Sequence, residues 1–232
     1  MKNLTNFLLE SSNQTGKKYR LTEETIKVDG RTLYRIEALK KFGWVKQGEK
    51  GGFIEKEDNL SQEGKCWVYD DAKVYDNAQV IDNAEVGNSA EIYGNAKVSG
   101  NTTVYGKSKV YGDAMVYGDA ALEGKAEVYD KAKVYYKSSV YGNGKVYGNA
   151  EIYGNADVFG YAEVYDKAKV YDHAVVRDKA QIYDNAKVYG KAYVHDNAKV
   201  FGNAKVYGDG EVRDDMEIGG NTRVYEEPED ID

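Results

Sequence analysis

The chain has 232 residues and a formal net charge of −7, with 22 Tyr, 25 Gly, one Pro and one Cys. That length suits one large domain or two small ones, the acidic balance disfavours nucleic acid as a partner, and a lone Cys66 excludes an internal disulfide framework. No apolar run of about 18 residues occurs, and the start MKNLTNFLLESSNQ is too short and polar for a secretion signal, so a cytoplasmic location is expected.

Residues 1–16 carry only a weak pattern, for a short helix or a loose arm. Residues 17–67 differ from everything after them, and residues 1–67 together hold 13 Lys+Arg against 10 Asp+Glu where the remainder holds 19 against 29. TIKVDGRTLYRIEAL predicts a β-hairpin around Asp29-Gly30. A second turn is expected at Gly51-Gly52, with Trp44, Phe53 and Trp67 sealing the end of whatever core follows. Cys66 falls at a small inward position, which predicts a buried thiol.

From Val68 the chain divides into sixes with no insertion: VYDDAK, VYDNAQ, VIDNAE, and on to VYEEPE at Glu229, 27 hexads in all. The first position is Val in 22, Ile in four and Leu in one; the fifth is small except at Met216 and Pro228. A helix of period 3.6 scatters such positions around its cylinder. Alternation fits instead: Ala in, Lys out, Val in, Tyr out makes a four-residue strand. The two residues between strands, Gly-Asn, Asp-Asn or Asp-Lys, tolerate positive φ and predict a corner.

This spacing resembles that of the hexapeptide-repeat proteins, and the resemblance implies an all-β left-handed parallel β-helix with 18 residues per triangular coil. Nine coils follow, about 40 Å long at about 4.8 Å per stacked strand, with a core filled by Val and Ala and no room inside for a ligand. The expected organisation is a capping β module at 1–67, the β-helix at 68–229 and an acidic tail at 230–232. Pro228 and the tail EDID discourage pairing at the last edge. The lead-in KYRLTEETIKVDGRTLYRIEALKKFG is similar to that of hexapeptide-repeat proteins of phages and prophages, which implies a phage-related setting in a host cytoplasm.

Residues 18 apart should stack. One face then carries alternating Lys73, Glu91, Lys109, Glu127, Lys145 and Glu163 beside a column of Tyr from Tyr75 to Tyr183, a structural pairing of opposite charges and rings. A second carries Lys97, Lys133, Lys169, Lys187, Lys205 and Arg223 beside Tyr, read as a solvated face rather than a single-strand binding surface. On the third the ladder lapses: Arg177, His195 and Arg213 replace Tyr on successive coils. Phe159, Tyr161, His173, Arg177, Tyr193, His195 and Arg213 form the candidate site, an aromatic-basic patch suited to a host protein or a small anionic, nucleotide-like ligand, or to self-association into a homo-oligomer.

Hexapeptide-repeat resemblance also implies acyltransferase activity as the alternative, with His173 or His195 as base. The uninterrupted hexads, the acidic tail and the lack of a neighbouring Ser or Cys nucleophile count against it, and a purely structural rod is the further alternative. No phosphate loop, HExxH or cysteine pair is present, and most corners offer at most one carboxylate, so no catalytic residue, metal or cofactor is expected. The expectation is a non-enzymatic binding protein, acting in a phage setting against a host defence.

Overall fold

The computed structural model describes residues 16–226; the expectations for residues 1–15, for Pro228 and for the tail lie outside the described residues. Two long strands open the fold, β1 (Tyr19–Val28) and β2 (Arg31–Ala38), paired antiparallel about Asp29 and Gly30, whose φ values of 48° and 80° make the predicted tight hairpin. β3 (Lys50–Ile54) follows, and then 27 two-residue strands, one per hexad, from β4 (Trp67–Val68) to β30 (Arg223–Val224).

These strands form three parallel sheets in which each residue faces the one 18 positions on, as Lys73 faces Glu91 and Val104 faces Leu122. The coil is therefore 18 residues, and the chain folds as a parallel β-helix built on its six-residue repeat. Parallel stacking starts before the first hexad: β3 pairs with Lys73–Val74 and Leu60 bridges to Val80, so residues 50–66 lay down an irregular further turn. The strands are shorter than the four residues expected, because the corner begins at once after each Tyr. Coil-to-coil bonding still continues through it: Tyr75 N donates to Ile92 O at 3.0 Å and Asn77 N to Gly94 O at 2.8 Å.

The core is the column of hexad first and fifth residues, Val, Ile, Leu and Ala at 0–1% exposure through Val212. Each buried Val stabilises by about 1.5–3 kcal/mol. Outside, the predicted ladder is present, with Tyr93, Tyr111 and Tyr129 stacked at centroid distances of 4.8–4.9 Å and within 2° of parallel. Lys73 Nζ meets Glu91 Oε1 at 2.8 Å, as the sign alternation requires.

The corners explain why Asp and Gly share one hexad position. That residue has positive φ throughout, 58° at Asp166 and 75° at Gly154, where a Cβ would stand 2.7 Å from Asp172 N. Asp tolerates the conformation and adds a bond of its own: Asp184 N donates to Asp166 Oδ2 at 3.3 Å, one coil away.

Two expectations for the N-terminal module are corrected. Gly51 and Gly52 are strand residues of β3, not a turn; a Cβ on either would lie 2.5 Å from the carbonyl oxygen of Val68 or Ala72, so glycine lets this strand cross the first coil closely. Trp44 does not seal the core but stands 88% exposed. Trp67 does the sealing, fully buried against Tyr19 and Phe42, while Phe53 packs with Leu33 and Tyr75 in a small cluster beneath the hairpin. Cys66 is buried as expected.

Candidate functional site

The third sheet runs from Trp67–Val68 to Glu211–Val212 and carries the irregular face. At its N-terminal end Gly87 interrupts the aromatic column, Tyr105 lies over the gap and donates from its hydroxyl to Glu85 at 2.9 Å, and a Cβ at 87 would strike the Tyr105 ring at 2.4 Å. There the exposed Trp44 edges an open groove of about 440 Å³ lined by Lys65, Tyr69, Asn83, Glu85 and Thr103.

Midway along the rod the face turns aromatic. Tyr141 stacks on Phe159 at 4.5 Å. Tyr136, at the corner entering the strand Ser139–Val140, is 63% exposed, and Tyr161, at the corner leaving the next coil's strand Asp157–Val158, is 64% exposed. Tyr136 holds φ at 60°, a left-handed conformation that a bulky side chain rarely adopts. Burial raises the Asp157 carboxyl above its ordinary pKa, against a hydrogen bond from Ser139 that lowers it.

Two coils towards the C-terminus the face turns polar. The Arg177 guanidinium donates from Nε to the Tyr193 hydroxyl, lies 5.0 Å over the Tyr193 ring, and donates from Nη1 to Asp178 Oδ2 at 2.7 Å. These contacts, the Tyr193 bond first, hold its pKa above the usual arginine value. Tyr193 packs on His195 at 4.6 Å between ring centres. His195 is buried, with Nε2 2.9 Å from Glu211 Oε1 and Nδ1 2.9 Å from Asp196 Oδ2. The bond to His195 lowers the Glu211 pKa, and Arg213 adds to that from 4.0 Å.

The structure thus brings Arg177, Tyr193 and His195 into one contact chain, joins Arg213 to it through Glu211, and sets Phe159 with Tyr141. His173 stands exposed at a corner, and Tyr161 at another; neither side chain has a hydrogen-bond partner among the described residues. The cations of the face do not stand alone, since Asp178, Asp196, Glu211 and Asp214 surround them. Sequence reasoning missed those carboxylates because corner Asp recurs along the whole repeat. Tyr136 had a visible signal: through Gly220 every other hexad has Gly, Asp or Asn at its third position. No helix among the described residues is long and apolar enough to cross a membrane.

Comparison with known proteins adds two findings. A family model described as the YdcK beta solenoid repeat matches residues 180–196, the segment that carries Tyr193 and His195. A protein named uncharacterized acetyltransferase YdcK, from Escherichia coli (strain K12), is 39% identical over 66 residues, which span 25% of this chain and 20% of that protein.

Proposed function

We propose that this chain is a non-enzymatic binding protein, a rigid β-helix that presents the aromatic middle of its third face to a protein partner. The observation that carries this reading is the stacked pair Tyr141 and Phe159 on the face, flanked at its two corners on adjoining coils by the exposed rings of Tyr136 and Tyr161. Aromatic side chains dominate the energetics of protein interfaces, and Tyr136 is kept at a backbone conformation that costs about 1–2 kcal/mol. The carboxylates around Arg177, His195 and Arg213 favour a protein over a small anionic ligand at that end of the face. A phage setting, a host-cytoplasmic location and interference with a host defence belong to the proposal on the resemblance of the N-terminal module alone.

The test is affinity capture with the wild-type chain and a Tyr141→Ser/Tyr161→Ser variant of equal melting temperature. A partner held by the first and lost by the second supports the reading, and equal capture by both removes the patch from it. Solution mass of the isolated chain separates a foreign partner from self-association, since a dimer that the variant dissolves makes the face a homo-oligomer interface.

A second reading, acetyl transfer, is favoured by the name of the E. coli relative. Release of free CoA thiol from acetyl-CoA by the wild-type chain, lost on His173→Ala or His195→Ala, would establish it in place of the first.

A further inference from the structure

His195 sits in the third face at 8% exposure, between carboxylates on three coils. Its Nε2 lies 2.9 Å from Glu211 Oε1. A carboxylate only accepts, so Nε2 carries the hydrogen and donates it. Nδ1 is buried and has no hydrogen-bond partner among the described residues, yet it stands 2.9 Å from Asp196 Oδ2, out of line for a hydrogen bond. A ring lone pair and a carboxylate oxygen at that range repel unless something positive lies between them. A carboxylate oxygen of Asp178 completes the group, and the three donor atoms lie within 4.8 Å of one another.

From this arrangement we infer that Asp178, His195 and Asp196 form a site for a divalent first-row transition ion such as Zn²⁺. The separation of Nδ1 and Asp196 Oδ2 is that of two ligands about 2.1 Å from one ion and at right angles to it, about 3 Å apart as in octahedral coordination, and is shorter than the roughly 3.4 Å of a tetrahedral pair. Imidazole and carboxylate together suit such ions. Glu211 supplies the partner that metal-bound histidines ordinarily have, a carboxylate on the other ring nitrogen that orients the ring and raises its basicity. Charge agrees as well. Four carboxylates (Asp178, Asp196, Glu211, Asp214) meet two guanidiniums (Arg177, Arg213), which leaves two negative charges for a dication to balance. Arg177 engages Asp178 through Oδ2, which also accepts from Asp196 N at 3.4 Å. The site goes beyond the proposed binding role, and its presence or absence leaves that role standing.

Zn²⁺ titration by calorimetry on the full chain tests it, with Mg²⁺ as the control ion. The expected result is one Zn²⁺ per chain, bound at least tenfold more weakly after His195→Ala or Asp196→Asn and about 10- to 100-fold more weakly after Glu211→Gln. Because all three side chains face outward from the Val column, melting temperatures without the ion should stay close to the wild-type value, and Zn²⁺ should raise that of the wild type only. Nitrogen NMR gives a second readout, a shift of Nδ1 as Zn²⁺ is added. Absence of stoichiometric binding, equal affinity in His195→Ala and wild type, or a ring that stays protonated on both nitrogens throughout the titration would overturn the inference, the last in favour of an imidazolium held by Asp196 and Glu211.

Discussion

The ammonium of Lys18 donates to the carbonyl oxygen of Cys66 at 3.0 Å and lies 3.2 Å from its sulfur, both residues buried to 1% exposure or less. A further bond runs to Glu63 O at 3.2 Å. A strand end that would otherwise show bare carbonyls to the cap is thereby satisfied. Lys18→Met removes the donors and should lower stability by about 1–3 kcal/mol at pH 7. Burial holds the folded lysine below its ordinary pKa of 10.5, against opposing contributions from Cys66 and Glu63. Above the folded value the native state has released a proton that the unfolded chain still holds, so this residue's contribution to stability rises with pH up to about 10.5. The gap between wild type and variant should therefore widen as pH rises towards 10.5 in denaturant titrations; a gap that narrows contradicts this account of the cap.

Tyr136 should be a site where a smaller residue stabilises. Its φ of 60° is one that every neighbouring corner gives to Gly, Asp or Asn. Tyr136→Gly relieves about 1 kcal/mol of backbone strain and gives up the tilted contact with Tyr135 at 5.2 Å. The expected outcome is a melting temperature equal to or above that of the wild type, with capture of the partner weakened. A clear loss of stability would mean that the ring is anchored, not displayed.

Lys205 lies in direct register between Lys187 and Arg223, three like charges on successive coils. None of the three is ion-paired among the described residues, whereas the first face alternates its signs. Lys205→Glu converts two repulsive neighbours to attractive ones, each worth roughly 0.2–1 kcal/mol, and should raise the urea midpoint. The gain should shrink between 50 mM and 500 mM NaCl as screening takes over. A gain independent of salt would assign it to something other than charge.

Alkaline unfolding should begin near pH 10. Burial, first among the causes, pushes Tyr165 and Tyr171 from 10.0 up to about 12, and several other ladder phenols also lie above the ordinary value. Between pH 10 and 12 unfolded phenols lose protons that the folded ones keep, so the stability present below pH 10 is lost as pH rises through that window. Guanidinium midpoints measured from pH 8 to 12 should fall above pH 10, and phenolate absorbance of the native chain should lag that of the unfolded chain. A midpoint constant to pH 12 contradicts the buried character of the ladder.

Much of this was legible from residues alone, wherever a signal repeats. Alternation of Lys73, Glu91 and Lys109 identified the 18-residue coil because charges on adjoining coils sit side by side. The hairpin was legible from Asp29-Gly30, since few other pairs accept those dihedrals. What failed was local and unrepeated. Gly51-Gly52 looked like a turn because glycine serves turns and close crossings alike, and only the path of β3 beneath Val68 and Ala72 distinguishes them. Trp44 looked like a plug because it is large and apolar, but the core end was already closed by Trp67, Tyr19 and Phe42.

The sequence by itself determined the coil: a six-residue period of Val and Ala admits one way to bury them all, and small, φ-tolerant residues between them place the corners. Only the tertiary structure decided what surrounds His195. Its neighbours Asp178 and Glu211 are 17 and 16 positions away along the chain and come from corner and strand positions that look alike in every hexad. Their meeting depends on how far each side chain reaches across a coil spacing, and no periodicity records that distance.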